Sequence, residues 1–169
     1  FLNVQGESYV GGLAGVASGY LSNISLSGTI TGANFAIGGL VGYTNFALDY
    51  DRTDDEIQAV VVNKVTVNAN VTGVQSVGGV FGSANFGGVK YSSSTGSVTG
   101  QKYIGGFAGY MGYTVIANSW STADIYCNPG AGTEGYLGGF IGRSVAVSEL
   151  GDLYAGGNVN GGTQCNTIG

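Results

Sequence analysis

Aliphatic and polar residues alternate along most of this chain, and the alternation comes in blocks that return. The block Tyr9-Val-Gly-Gly-Leu-Ala-Gly15 recurs as Ala36-Ile-Gly-Gly-Leu-Val-Gly42, Ser76-Val-Gly-Gly-Val-Phe-Gly82, Tyr103-Ile-Gly-Gly-Phe-Ala-Gly109 and Tyr136-Leu-Gly-Gly-Phe-Ile-Gly142. The first Gly of each pair stands at 11, 38, 78, 105 and 138, so the spacings are 27, 40, 27 and 33 residues. The basic period is 27, with 13 extra residues in the second copy and 6 in the fourth. Each box is followed by a longer alternating segment, over 21–32, 62–73, 89–100, 116–127 and 150–161. Alternation with period two marks strands with one face buried. The last four residues of these segments, from Thr29-Ile-Thr-Gly32 to Asn158-Val-Asn-Gly161, hold one β-branched aliphatic between polar neighbours, which predicts that the aliphatic points inward.

A strand-turn-strand unit of 27 residues is too short for a βαβ crossover and buries its apolar face only against copies of itself. The pattern therefore predicts an all-β chain, a β-solenoid of about five and a half coils occupying 1–169 as a single domain. Its parts are a half coil at 1–6, coils starting near 9, 36, 76, 103 and 136, an inserted loop at about 44–60 and a C-terminal tail at 162–169. At about 4.8 Å per stacked strand such a column is about 26 Å tall. A propeller is disfavoured because its blades need about 40 or more residues. The Gly pairs suit corners, where either a positive φ or close approach of successive backbones leaves no room for a Cβ.

Composition narrows the chemistry. Gly accounts for 34 of 169 residues and Pro for one, which excludes long helices and, without a strict Gly-X-Y period, collagen. Charged residues are 9% of the chain and the net charge is −5. There is no His, which removes the usual general base, the Ser-His and Cys-His nucleophile pairs and every imidazole metal site. The basic residues Arg52, Lys64, Lys90, Lys102 and Arg143 are scattered singly, so a nucleic-acid footprint is missing. The uncharged stretch from Ser8 to Leu48 is rich in Gly, Ser, Thr and Asn, not the run of about 20 apolar residues a membrane span needs. Two cysteines, Cys127 and Cys165, fit one disulfide formed in an oxidising compartment, tying the fourth copy to the C-terminal tail. Phe1 reads as the start of a processed product or excised fragment.

The Gly-Gly-(Leu/Phe/Val)-x-Gly box, followed by a segment such as Val89-Lys-Tyr-Ser-Ser-Ser-Thr-Gly-Ser-Val-Thr-Gly100, resembles the GLUG-motif repeats of large bacterial surface proteins. The resemblance covers nearly the whole chain. It implies a secreted or surface-anchored, adhesin-like protein in which the repeats form stalk or binding scaffold, and it brings no catalytic residue with it. The second copy departs by its long insertion, and the fourth by placing Cys127 where the others have Gly.

Candidate chemistry concentrates in the insertion, where Asp49, Asp51, Asp54, Asp55 and Glu56 fall within eight residues. Clustered carboxylates suit Ca²⁺, although the spacing fails as an EF-hand loop because Gly and Glu are missing from the sixth and twelfth positions. A solvated acidic loop competes with that calcium site; no other cofactor is expected. Tyr20, Tyr43, Phe46, Phe86, Tyr110 and Tyr113 lie around the boxes, where they either stack on one another between copies or present rings to sugars. Asn23-Ile-Ser25 and Asn70-Val-Thr72 are glycosylation sequons.

No amphipathic helix or charge-rich cap precedes Tyr9 or follows Gly161, whereas stacked repeats need their open ends covered. The leading expectation is a non-enzymatic extracellular structural protein that stacks head to tail as a homopolymer, forming a surface filament or stalk for adhesion or matrix formation. The alternative is a carbohydrate-binding adhesin module, a fragment of a larger secreted passenger protein, whose partners are surface glycans. Neither nucleic acid nor membrane insertion is expected.

Overall fold

The computed structural model describes residues 1–44, 60–128, 135–146, 149–162, 165 and 167–168. These residues form eighteen strands and no helix. The first nine are β1 (Leu2–Gly6), β2 (Val10–Gly11), β3 (Ala14–Ala17), β4 (Tyr20–Gly32), β5 (Phe35–Gly38), β6 (Val41–Thr44), β7 (Val60–Thr72), β8 (Gln75–Gly78) and β9 (Phe81–Lys90). The remainder are β10 (Ser93–Gly100), β11 (Lys102–Gly105), β12 (Ala108–Ser121), β13 (Asp124–Cys127), β14 (Tyr136–Gly138), β15 (Ile141–Val145), β16 (Glu149–Ala155), β17 (Val159–Asn160) and β18 (Thr167–Ile168).

The sheet connectivity corrects the expected β-solenoid. Twelve strands form one sheet in which β7 pairs with β10, β10 with β12, β12 with β9 and β9 with β7, closing a four-strand parallel barrel. The box strands form a separate six-stranded parallel sheet in the order β18-β14-β11-β8-β5-β2. A stack of equal coils would arrange its strands in open ladders that never return on themselves. Here β7 and β12, of 13 and 14 residues, are long enough to pass a bend and divide their hydrogen bonds between different strands. Val60–Asn63 of β7 pair with Gly87–Lys90 of β9, while Thr66–Thr72 pair with β10. The inserted segment expected at about 44–60 lies outside the described residues from 45 to 59.

All pairings are parallel and keep equivalent positions of the copies opposite one another. One column runs Val10, Ile37, Val77, Ile104, Leu137, and a second runs Val4, Ile30, Val71, Val98, Ile125, Val159. The inner members of both columns are buried. The β-branched residue of each tetrapeptide therefore points inward, where parallel strands build a continuous aliphatic core. A third column, Leu40, Val80 and Phe107, is buried too, and Phe107 stacks on Phe140 with ring centroids 4.6 Å apart.

The boxes are glycine-rich for close approach, not for positive φ. A Cβ on Gly38 would come within 2.6 Å of the Gly82 nitrogen and 2.8 Å of the Val80 carbonyl oxygen in the next copy. One on Gly82 would strike the Ala36 and Ile37 backbone. The left-handed conformation falls instead on non-Gly residues, and these form three ladders. Tyr9, Ala36, Ser76 and Tyr103 make the first, Asn23, Lys64, Tyr91, Asn118 and Asp152 the second, and Phe86, Tyr113 and Ala146 the third, all with φ between 50° and 63°. Each costs about 1–2 kcal/mol of local strain. The hydrogen bonds of the flanking strands hold it.

Beside the second corner the core turns polar. Val65 is followed in its column by Ser92 and Ser119, and Val67 by Ser94 and Ser121, all four serines being buried. The Ser92 hydroxyl donates to the Lys90 carbonyl at 2.9 Å and accepts from the Val65 N–H at 3.2 Å. Ser119 repeats this, donating to Ala117 and accepting from Ser92 N–H. Ser94 donates to the Gly106 carbonyl at 2.7 Å. These hydroxyls satisfy backbone groups that the corner takes out of the ladder.

Two substitutions separate close approach from composition. Gly82→Ala is expected to lower unfolding stability by about 3 kcal/mol through overpacking, whereas Gly151→Ala, whose Cβ meets nothing within 4 Å, stays within about 0.5 kcal/mol of the parent. Urea unfolding followed by tryptophan fluorescence reads both, and equal effects would contradict the packing argument.

Candidate functional site

The two cysteines are bonded to each other, Cys127 at the end of β13 with Cys165 beyond the last described Gly. Cys165 is buried and its Cα lies 6.4 Å from that of Cys127. The bond fastens the C-terminal segment, in which β18 continues the box sheet by pairing with β14.

The acidic calcium candidates Asp49, Asp51, Asp54 and Asp55 lie outside the described residues, as does Phe46. Among the described residues no three His, Cys, Asp or Glu side chains come together. Both sequon asparagines are exposed: Asn23 sits on the second corner, and Asn70 on β7 accepts a 2.9 Å hydrogen bond from the Ser97 hydroxyl.

Most of the aromatic candidates are engaged with one another. Phe86 and Tyr113, on adjacent rungs of one corner, stack at 4.8 Å with planes 3° apart. Tyr43 meets Tyr9 edge-on, and Tyr9 also meets Phe35. Tyr110 packs against Tyr103, whose ring also contacts Tyr136, and the guanidinium of Arg143 lies over Tyr103 while donating to its hydroxyl. Stacking between copies thus accounts for these rings.

Tyr20 is different. Its ring is 64% exposed, and its hydroxyl accepts a long 3.4 Å hydrogen bond from the Asn63 amide. It forms one wall of a depression of about 260 Å³ on the side of the barrel sheet, with Val61, Asn63, Gly88, Lys90 and Tyr91. Register explains the assembly. Tyr20, Val61 and Gly88 are successive members of one outward column, and Ser22, Asn63 and Lys90 of the next. Gly88 carries no side chain where Val61 and Val115 carry one, and nothing lies within 4 Å of where its Cβ would be. This opens the floor. Tyr91, 58% exposed, stands at the second corner directly after Lys90.

Sequence reasoning singled out Tyr20 but missed Val61, Asn63, Gly88, Lys90 and Tyr91. The signal was present in the repeat offsets of 41 and 27 residues that align Tyr20 with Val61 and Gly88. No family model, curated protein or solved structure matches the chain.

Removing the disulfide tests its structural role. Its partners are 38 residues apart, and Cys127→Ala/Cys165→Ala is expected to cost about 3 kcal/mol. The change should appear first as faster amide exchange at Leu137, which pairs with Ile168; exchange and melting temperature unchanged from the oxidised parent would refute it.

Proposed function

We propose that this chain is a non-enzymatic, extracellular structural protein whose copies stack end to end into a surface filament or stalk serving adhesion or matrix formation. One observation carries the reading: among the described residues, core columns run out at both ends on exposed leucines. Leu13 occupies the position that is fully buried as Leu40, Val80 and Phe107 in the following copies, yet it is 48% exposed. At the other end Leu150 follows the buried Val62, Val89 and Ile116 and is 51% exposed.

Among the described residues β3 at one end and β16 at the other pair on one side only, each presenting a strand edge. Beside Leu13 a groove of about 420 Å³ is lined by Phe1, Leu2, Gly12, Ile24 and Leu26. Two unlike apolar ends on one chain favour a heterologous contact, and such a contact does not close on itself but propagates. The disulfide supports an oxidising, extracellular setting. Among the described residues no helix is long and apolar enough to cross a membrane. The likeness of the boxes to GLUG-type surface repeats points the same way.

Negative-stain electron microscopy and sedimentation velocity test the reading. Unbranched fibres are expected from the parent chain. Leu13→Lys and Leu150→Lys should each abolish fibres, and their mixture should give a discrete dimer through the two unaltered ends. A parent that stays monomeric at high concentration would overturn the proposal.

A further inference from the structure

The depression between Tyr20 and Tyr91 lies away from the open ends, since Gly88 and Lys90 are flanked on both sides, by β7 and by β12. Stability does not explain Tyr91. The other rungs of its corner are Asn23, Lys64, Asn118 and Asp152, and three of these are the residue types that tolerate a left-handed backbone best. A tyrosine at φ 52° keeps the strain and leaves its ring in solvent. Tyr9 and Tyr113, also exposed at positive φ, are engaged by neighbouring rings, whereas among the described residues Tyr91 has no ring neighbour and keeps a face for a ligand.

Charge indicates what the wall faces. Among the described residues the lining contains no carboxylate and one ammonium group, that of Lys90. Lys90 lies in the depression, and Lys64 occupies the rung beside Tyr91, one residue beyond the Asn63–Lys90 pair. Lys90 therefore stands beside two exposed tyrosines and an amide, with Lys64 next to the lining residue Asn63 in the chain. The apolar floor of Val61 and the bare Gly88 leave a slot open along the sheet surface.

We infer that this depression binds an acidic polysaccharide. A pyranose ring lies against Tyr91 and Tyr20 through its C–H face, and its carboxylate is held by the Lys90 and Lys64 ammonium groups. Asn63, already bonded to the Tyr20 hydroxyl, fixes that ring and offers an amide to a sugar hydroxyl. The acidic sugar is selected over a neutral one because Lys90 in the depression, with Lys64 on the neighbouring rung, attracts a carboxylate.

Calorimetric titration of the intact chain with oligogalacturonate, and with cello-oligosaccharide as the neutral probe, tests the inference. Oligogalacturonate should bind, more weakly as salt is raised, and the neutral probe at least about tenfold more weakly. Tyr91→Asn, which places on this rung a residue already found at 23 and 118, should weaken binding about tenfold, the order expected for one lost stacking ring, while the melting temperature holds or rises. Gly88→Val should block the floor without unfolding the sheet, since Val occupies the same column at 61 and 115. Lys90→Gln should weaken binding and reduce its salt dependence. Equal affinity for the neutral probe, unchanged binding by Tyr91→Asn, or no binding of oligogalacturonate would overturn the inference. Because these readouts do not require fibres, they stand or fall separately from end-to-end stacking.

Discussion

Parallel hydrogen bonding between equivalent positions of successive copies, at a backbone separation that the boxes reach only without Cβ atoms, is the constraint from which the other features follow. In Gly38 and Gly82 the absent side chains let one copy lie directly on the next, and the aliphatic columns headed by Val10 and Val4 then meet face to face. Backbone pairing alone would be register-tolerant. The inward aliphatics remove that tolerance, because a slip of one residue would turn Ile30, Val71, Val98 and Ile125 out to water.

The same pairing governs where the chain can bend. Among the described residues the twelve non-Gly positions with positive φ fall on three ladders, so each of these bends is stacked on an equivalent bend. Strain of this size persists only where neighbours determine the conformation. At the second corner the neighbours include Ser92 and Ser119, whose hydroxyls bond the amides of the preceding rung and the carbonyls of their own. A polar column inside an aliphatic core is thus a consequence of turning the chain: the backbone groups released by the bend need partners, and a small hydroxyl provides them without added volume.

The functional proposals use what pairing leaves unsatisfied. At the ends it leaves core leucines uncovered, Leu13 at one and Leu150 at the other, which suits association of like chains. On the side it sets the outward residues of three strands into a small array, in which Tyr20, Gly88, Lys90 and Tyr91 converge although the chain separates the first from the others by about 70 residues. The remaining aromatic rings are spent on one another, as the Phe86–Tyr113 stack illustrates.

The sequence by itself determined that the chain is all-β, that its copies are equivalent and which aliphatics face inward, because period-two alternation and a repeated box are local signals; the bond between Cys127 and Cys165 was an expectation that the structure bears out. The sequence did not reveal how the long strands share their hydrogen bonds. Equal coils were the expectation, and a closed four-strand barrel beside a separate sheet is the result, since β7 and β12 run through bends, at Lys64 and Asn118, that the alternation of polar and apolar residues does not mark. The positive φ values likewise fell on Tyr9, Ala36, Ser76 and Tyr103 instead of the Gly pairs, a choice made by packing between copies. The depression at Tyr20 required the register of three strands at once, and register is decided by the whole sheet: only there does Gly88 become a gap between Val61 and Val115 and not one more glycine among 34.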